Sequence, residues 1–312
     1  MRECIARSNP SIMDAENGGK ASKRRKRLKP FIITALLGLL AAVGEIIREL
    51  RCFQVTHYTA DSPKLAGLER GRKLIFLSDL HNYRYGKKNE ILYEAIAEEK
   101  PDLILIGGDM LIRTDGYSYG HTAEFLSGLP RICPVYYANG NHEQKLKERP
   151  RKYRQSYREY KERLLRAGIH FLENDSAVFR WGRARVRITG LEIPMRGYER
   201  AAKGKVRVKD IEERVGKAGE AYEILLAHHP GHVEAYQEWG ADLILCGHYH
   251  GGVVGIPGIG GVIAPDFTPF PKFSGGCYQA KEACVVVSRG LGVHSVPIRL
   301  FNPAEVIAVE LR

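Results

Sequence analysis

The chain has 312 residues, of which 44% are hydrophobic and 27% charged. The length fits one large domain with a short extension, and an apolar share ordinary for a globular protein excludes a chain that is disordered throughout. We find no internal repeat, which excludes a solenoid. The net charge is +12, and residues 1–30, with nine Lys/Arg and three Asp/Glu, carry +6 of it. Half of the excess charge therefore lies outside the predicted domain.

The amino-terminal segment has the layout of a signal peptide or signal anchor. Residues 1–29 are polar and basic, which predicts a disordered tail. An apolar run follows directly, and a basic flank before an apolar core is typical of membrane targeting. Because no small-x-small cleavage site follows, we predict an uncleaved membrane-anchor helix over residues 30–47. The run is shorter than the ~20 apolar residues of a usual span, so a buried amphipathic helix is the alternative.

Residues 48–70 are predicted to be a linker, and residues 71–312 a single domain. The domain begins with alternating strands and helices, predicted at 73–78, 89–99, 102–107, 121–128 and 134–138. Two strands around Trp181-Gly182, helices at 210–217 and His232–Trp239, and strands at 242–246, Cys284–Ser288 and Val306–Leu311 follow. Cys277 and Cys284 either face each other across a hairpin or remain two reduced thiols, and we favour the second.

Polar side chains follow five of the predicted strands at their carboxyl ends. Each strand is a short, continuous apolar run, as expected of a strand buried on both faces of a sheet. In open α/β sheets, this edge is where ligands bind. The residues at the strand ends are Asp79, Asp109, Asn141, His228 and His248. Packing alone does not account for so many potential metal-ligating side chains at one edge of the sheet.

Short motifs surround these residues: Asp79-Leu80-His81, Gly107-Gly108-Asp109, Gly140-Asn141-His142-Glu143, His228-His229-Pro230 and Gly247-His248-Tyr249-His250-Gly251-Gly252. Two divalent cations need six or seven ligands, with one carboxylate shared between them, and the motifs supply such a set. Mixed carboxylate, amide and imidazole ligands suit Mn²⁺, Fe or Zn²⁺ better than Ca²⁺. The sequence does not choose among these three metals.

The order of these motifs resembles the calcineurin-like metallophosphoesterase superfamily, over Leu74 to Arg312. Flanking segments around Tyr58, Asn82 and Gly292 are similar to a bacterial branch of membrane-anchored phosphohydrolases, which includes UDP-diacylglucosamine pyrophosphatases. The resemblance implies an α/β (α+β) fold, a four-layer αββα sandwich, here preceded by the amino-terminal membrane-anchor helix.

The resemblance also implies a role for each motif residue. One metal ion would be held by Asp79, His81, Asp109 and His250, and the other by Asp109, Asn141, His228 and His248. Asp109 would bridge the ions and reduce the repulsion between two dications ~3.5–4 Å apart. A water between them would have a depressed pKa and attack phosphorus as hydroxide. His142, the second catalytic residue beside Asp109, would stabilise the transition state or protonate the leaving oxygen.

The predicted function is therefore a dimetal-dependent phosphoester hydrolase, acting on a lipid-linked or nucleotide diphosphate substrate. A general nucleotide phosphodiesterase is one alternative. A catalytically silent scaffold is another, and it is disfavoured because every ligand position is filled. The loop Gly255–Gly276 carries apolar residues that would serve an acyl chain or pack against the sheet edge: Ile256, Ile259, Val262, Ile263, Phe267 and Phe270.

Partners and location follow from charge and the predicted anchor. The basic stretch Lys145–Arg166 is a solvated helix face or a patch for anionic headgroups. No nucleic-acid partner is expected, since aromatic residues do not interleave with the basic ones, and the protein is expected to be a monomer. Lys and Arg before the anchor outnumber Arg48 and Arg51, which places the domain outside the cytoplasm by the positive-inside rule. A lipid precursor would instead favour a cytoplasmic domain, with the helix lying in the interface.

Overall fold

The computed structural model describes residues 17–112, 119–199, 204–256, 258–264, 268–280, 282–293 and 297–312. The chain divides into two compact units, Met1–Ile47 and Arg48–Arg312. The boundary lies close to the end of the predicted anchor.

Helix α1 spans Asn17–Arg51, so the backbone is helical from Asn17 on, where the sequence predicts a disordered tail to residue 29. Residues 1–16 lie outside the described residues. Lys, Arg, Ala and Leu are strong helix formers, which explains how the helix continues through the basic cluster. Its exposed apolar side chains are Ile32, Ile33, Leu36, Leu37, Leu39, Leu40, Val43 and Ile47. No helix among the described residues combines the length and apolar character that a membrane span requires. Membrane anchoring stays a prediction.

The unit Arg48–Arg312 contains fourteen strands and six further α-helices among its described residues. The strands are β1 Phe53–Ala60, β2 Arg72–Leu77, β3 Leu103–Ile106, β4 Val135–Tyr137, β5 Ile169–Phe171, β6 Asp175–Trp181, β7 Ala184–Leu191, β8 Tyr222–Ala227, β9 Leu243–Cys246, β10 Gly255–Ile256, β11 Gly260–Gly261, β12 Gly276–Ala280, β13 Ala283–Val287 and β14 Ala304–Leu311. The helices are α2 Glu90–Glu98, α3 Gly120–Gly128, α4 Asn141–Glu148, α5 Pro150–Arg166, α6 Val208–Val215 and α7 Val233–Trp239.

These strands form two six-stranded sheets and a small hairpin. The first sheet has the order β1-β14-β2-β3-β4-β5, and the second β12-β13-β9-β8-β7-β6. The neighbours β2 to β5 are parallel, as are β7, β8, β9 and β13. Since parallel strands end at the same edge of a sheet, each sheet brings its carboxyl strand ends together.

Three apolar clusters separate four layers. The middle cluster lies between the sheets and joins Phe76 and Leu105 of the first sheet to Leu226 and Leu245 of the second. Another packs α2, α3 and α5 on the outer face of the first sheet. The third packs α6 and α7 on the outer face of the second. The mixed α/β sandwich is thus confirmed.

The sequence predicts a linker over residues 48–70, but Phe53–Ala60 forms strand β1. It pairs in parallel with β14, from Phe53 opposite Ala304 to Ala60 opposite Leu311. Its side chains are exposed or only partly buried apart from that of Ala60, as expected at a sheet edge. The continuous apolar run that marks the inner strands is therefore absent. Cys277 and Cys284, in β12 and β13, are free thiols with Sγ atoms 3.5 Å apart.

Candidate metal centre

The predicted ligands meet at the carboxyl edge of the two sheets. They lie directly after five parallel strands: Asp79 and His81 after β2, Asp109 after β3, Asn141 after β4, His228 after β8, and His248 and His250 after β9. Except for the half-buried His248, all of them are buried. Strands of both sheets therefore contribute to one site.

Backbone strain is concentrated at this edge. Among the described residues, eleven non-glycine residues have positive φ. Five of them belong to the motifs and a sixth, Asn82, directly follows one: Asp79, His81, Asn82, Asp109, His248 and His250. Left-handed conformations of such residues cost of order 1–3 kcal/mol each and persist only where the surroundings impose them. The strand ends are therefore bent to aim these side chains, at a cost in stability.

Asp79, His81 and His250 form one ligand group. The Nε2 atoms of His81 and His250 are 3.0 Å apart, and Asp79 Oδ1 lies 3.2 Å from His250 Nε2 and 3.8 Å from His81 Nε2. Metal–ligand bonds of ~2.0–2.2 Å place the ligand atoms around one ion ~3–4.4 Å apart. The group thus has the spacing that a divalent cation requires.

Asp109, His228 and His248 form a second group, and Asp109 also belongs to a third group with His81 and His142. Asp109 Oδ2 lies 3.1 Å from His228 Nε2 and 4.0 Å from His81 Nε2. This carboxylate is therefore between the two predicted ion positions, where a bridging ligand has to be.

Two orphaned atoms test whether cations fit here. Asn141 Oδ1 and His228 Nε2 are buried and have no hydrogen-bond partner among the described residues. His228 Nδ1 lies 2.8 Å from the carbonyl oxygen of Gly107, which can only accept, so Nδ1 carries a proton and Nε2 is the ring nitrogen that faces Asp109. A hydrogen bond from the ring nitrogen that does not bind the metal is the usual way in which a protein orients a metal-binding histidine. The residues present therefore fit a pair of divalent cations.

Asp79 is oriented in the same manner. Ser78 Oγ donates to Asp79 Oδ2 at 2.6 Å, and the backbone N–H of His248 is shared between Oδ2 at 3.1 Å and Oδ1 at 3.2 Å. Oδ1 is the oxygen that faces the imidazoles of His81 and His250. The hydroxyl of Ser78 thus distinguishes the two carboxylate oxygens and leaves Oδ1 more available to a cation.

Electrostatics at the site favours positive charge. Burial opposes ionisation of Asp109, but the charges of His228 and His142 outweigh it and hold the pKa of Asp109 well below its usual range. Burial lowers the pKa of His228, yet the charges of Asp109 and Asp79 raise it to about 10. Burial, together with the charge of His228, lowers the pKa of His248 to about 3. The buried carboxylates of Asp79 and Asp109 are thus stabilised by nearby positive charge. The imidazole of His248, with its low pKa, is neutral and does not provide that charge.

His142 lies beside both groups. Its backbone N–H donates to Asp109 Oδ1 at 2.8 Å, and its Nε2 is 3.9 Å from Asp109 Oδ2. Its ring meets the ring of His81 edge-on, with centroids 5.0 Å apart. The geometry puts the imidazole next to the bridging carboxylate, which is where the predicted catalytic role requires it.

Glu143, the last residue of its motif, connects the loops of this region through hydrogen bonds. Its buried carboxylate accepts four hydrogen bonds: from the N–H of Asp109 at 2.8 Å, of Leu111 at 3.2 Å and of Gly140 at 3.1 Å, and from Tyr137 Oη at 2.9 Å. Burial, and then the charge of Asp109, raises the pKa of Glu143 to about 7, while these donors favour the ionised form. The spacing from Gly140 to Glu143 is that of a helix capping box, a signal that could have indicated this role.

Two aromatic neighbours complete the second group. His229 lies with its ring centroid 4.4 Å from that of His248, but its Nδ1 accepts from the N–H of Gly231 at 2.9 Å. This residue packs behind the site, whereas His228 faces Asp109. Tyr198, which belongs to none of the motifs, has its ring centroid 5.4 Å from that of His248 and 6.5 Å from that of His228.

Two glycine positions explain how the loops approach one another. Gly108 has φ +90°, and a Cβ there would overlap the backbone of Gly140, so the turns before Asp109 and Asn141 can touch only without a side chain. Gly251 has φ +67°, and a Cβ there would overlap Oδ1 of Asn302.

Comparison with known proteins gives consistent matches. A family model described as calcineurin-like phosphoesterase matches residues 72–252. Phosphodiesterase YaeI of Escherichia coli is 29% identical over 242 residues, covering 77% of this chain and 82% of its own. The uncharacterized metallophosphoesterase YkuE of Bacillus subtilis is 24% identical over 307 residues, covering 94% and 99%. A Danio rerio protein named transmembrane protein with metallophosphoesterase domain is 27% identical over 311 residues, covering 96% of this chain and 65% of its own. The matched region contains every motif that carries a predicted ligand.

Proposed function

The chain belongs to the calcineurin-like phosphoesterase family and is a metal-dependent phosphoesterase, and we propose that it cleaves a phosphodiester or diphosphate bond in a lipid-linked substrate at a membrane surface. The observation that carries the reaction class is the position of Asp109, whose carboxylate is shared by two groups of potential ligands. The phosphodiesterase name of the Escherichia coli relative supports a diester or diphosphate bond.

The ligand assignment follows the two groups. Asp79, His81, Asp109 and His250 would hold one divalent ion, and Asp109, Asn141, His228 and His248 the other. When bound, two such ions supply an activated water and draw charge from the phosphoryl oxygens. Mn²⁺, Fe and Zn²⁺ all suit these ligands.

His142 is the residue that we assign to the substrate. Its backbone is fixed by Asp109, and its ring lies against His81 and stays outside the four-ligand sets. An imidazole there can donate a proton to the leaving oxygen or a hydrogen bond to a phosphoryl oxygen, and such a group contributes ~10²–10⁴-fold to rate.

The loops that follow the last two ligands support a lipid substrate. Ile256, Ile259, Ile263 and Phe270 are 38%, 71%, 37% and 62% exposed, whereas Phe267 lies outside the described residues. Hydrogen bonds from Phe270 N to Val262 O and from Gly255 N to Leu300 O, both 2.9 Å, hold these segments together. They also bring in Phe301, which is 56% exposed. Exposed apolar residues grouped beside a reaction site are typical of contact with an apolar ligand or a membrane.

Membrane attachment through residues 30–47 is the second part of the proposal. Eight large apolar side chains of α1 between Ile32 and Ile47 are exposed, and in the sequence the basic cluster at residues 23–29 directly precedes this segment. Basic residues next to an apolar segment favour anionic lipid surfaces. The name of the Danio rerio relative supports this part. By the positive-inside rule, the catalytic unit would lie outside the cytoplasm.

A substrate panel tests the proposal. The full-length protein with Mn²⁺ is offered a lipid-linked diphosphate in detergent micelles, its deacylated headgroup, a cyclic nucleotide and bis(p-nitrophenyl) phosphate. We expect kcat/KM for the lipid to exceed that for the headgroup by at least ~10-fold, which is ~1.4 kcal/mol of acyl-chain binding. Equal kcat/KM for the lipid and its headgroup would indicate a general phosphodiesterase. Preferential cleavage of the cyclic nucleotide would then identify a nucleotide phosphodiesterase.

Matched variants locate the acyl contact. Phe270→Ser should raise KM for the lipid and leave aryl phosphodiester hydrolysis intact. Ile91→Ser, on α2 and 54% exposed, removes a comparable apolar side chain away from the site and should change neither. Vesicles containing phosphatidylglycerol test the attachment: the full-length protein should sediment with them, and Leu36→Gln combined with Leu40→Gln should release it.

A further inference from the structure

The last turn of α1 carries an acidic side chain that is buried in the catalytic unit. Glu49 is only 2% exposed and lies within the unit Arg48–Arg312. Its two carboxylate oxygens accept from the backbone N–H of Asn302, at 3.1 and 3.0 Å. Burial of a carboxylate is costly unless donors satisfy it, so this contact is a specific one.

Asn302 connects Glu49 to the metal centre. Its Nδ2 donates to the carbonyl oxygen of His250 at 2.7 Å and also to that of Gly252. Asn302 is itself 2% exposed, and the turn at Gly251 packs directly on its side chain. Two buried residues therefore link the end of α1 to the backbone of a predicted ligand.

Arg299 holds the same region from the other side. Its guanidinium donates to the carbonyl oxygens of Asn302 at 3.1 Å, of Gly290 at 3.1 Å and of Gly292 at 2.6 Å. The N–H of Gly292 donates in turn to the carbonyl oxygen of Asp79 at 2.7 Å. The backbones of Asp79 and of His250 are thus fixed by one connected network.

Asp109 and His228 of the second ligand group are held by other residues, whereas His248 is joined to Asp79 through its backbone N–H. The backbone of Asp109 is bound by Glu143, and the ring of His228 by the carbonyl oxygen of Gly107. A displacement of Glu49 would therefore act on the group of Asp79, His81 and His250 before the group around His228.

We propose that Glu49 is a positioning residue, which acts through Asn302 to set the affinity of the group of Asp79, His81 and His250 for a divalent cation. This inference rests on the metal centre of the proposed function. It goes beyond that function because it couples Glu49, in the last turn of α1 and within the unit Arg48–Arg312, to one of the two cation positions.

Titration of the full-length apo protein with Mn²⁺, followed by the electron paramagnetic resonance of free Mn²⁺, tests the inference. Glu49→Ala should weaken one of the two affinities by about tenfold, the lower end of what loss of such outer contacts costs, and leave the other unchanged. Glu49→Gln should recover most of the loss, since its amide oxygen still accepts from Asn302. Arg51→Ala, an exposed change two residues further on, should match the wild type.

Thermal unfolding of the same apo proteins separates positioning from simple support. A lower Tm with both Mn²⁺ affinities intact would overturn the inference, as would equal weakening of both. Should Glu49→Ala not fold, Glu49→Asp, which withdraws the carboxylate by one methylene, gives the same comparison. If the wild type binds no Mn²⁺, the proposed function and this inference both fail. If the wild type binds two ions and Glu49→Ala binds both with the same affinities, only this inference fails.

Discussion

Glu143→Gln is the most direct test of how the metal-binding loops are held. The carboxylate accepts on Oε2 from the N–H groups of Asp109 and Gly140, and on Oε1 from the N–H of Leu111 and from Tyr137 Oη. A glutamine has one oxygen and one NH₂ group in the same space. Whichever way it is placed, two of the four donors lose their acceptor.

The two orientations differ in cost. With the NH₂ group at the Oε2 position, two backbone donors that cannot move are left unpaired. With the NH₂ group at the Oε1 position, the Tyr137 hydroxyl can turn to accept from it and donate to Tyr160 Oη, 3.1 Å away. Only the N–H of Leu111 is then left without an acceptor. Glutamine should take this second orientation. The cost is then one unsatisfied buried donor, ~1–3 kcal/mol.

For a unit of this size, ~1–3 kcal/mol corresponds to a fall in Tm of roughly 2–12 °C, measured by calorimetry at about pH 8, where the carboxylate is ionised. Since glutamine still accepts from Asp109 N, we expect both Mn²⁺ ions to bind and kcat to fall less than tenfold. Glu143→Ala should be several times more destabilising, because all four donors lose their partner. Glu143→Ala is the decisive variant, since Glu143→Gln also relieves the charge repulsion between Glu143 and Asp109. A Glu143→Ala protein with wild-type Tm would refute the four-donor arrangement.

Three further predictions concern the site and the sheet. Asp109→Asn should abolish hydrolysis and weaken both Mn²⁺ affinities, because the bridge loses its charge; two full equivalents of metal with normal turnover would contradict the assignment. His142→Ala should retain both ions, measured by metal analysis, and lose ~10²–10⁴-fold in kcat, whereas loss of metal from a folded variant would make it a ligand. Burial of Asp102 opposes ionisation, but hydrogen bonds from Arg70 and from the backbone of Lys73 lower its pKa. Its stabilisation is therefore present above the ordinary Asp pKa and lost as pH falls through the folded value. Asp102→Asn should cost ~1–3 kcal/mol at neutral pH, and denaturant unfolding across pH should show a flatter acid limb than the wild type.

The strand ends were predictable because the signal for them is local. A buried parallel strand needs a continuous apolar run, and the residue after it is the first that can face a ligand. Asp79, Asp109 and His228 each satisfy both conditions within a few residues. The structure brings these side chains to one site, while their roles as ligands remain predictions.

What the sequence did not reveal depends on contacts between distant segments. Glu49 and Asn302 are separated by 253 positions, and neither has an apolar pattern or a motif that indicates the other. Strand β1 pairs with β14, at the other end of the chain. At Glu143, the local pattern predicts a helix cap, but only the fold places Asp109, Leu111 and Tyr137 around the same carboxylate. A single sequence records the period and chemistry of each segment, whereas the partners of a buried polar group are decided when those segments pack.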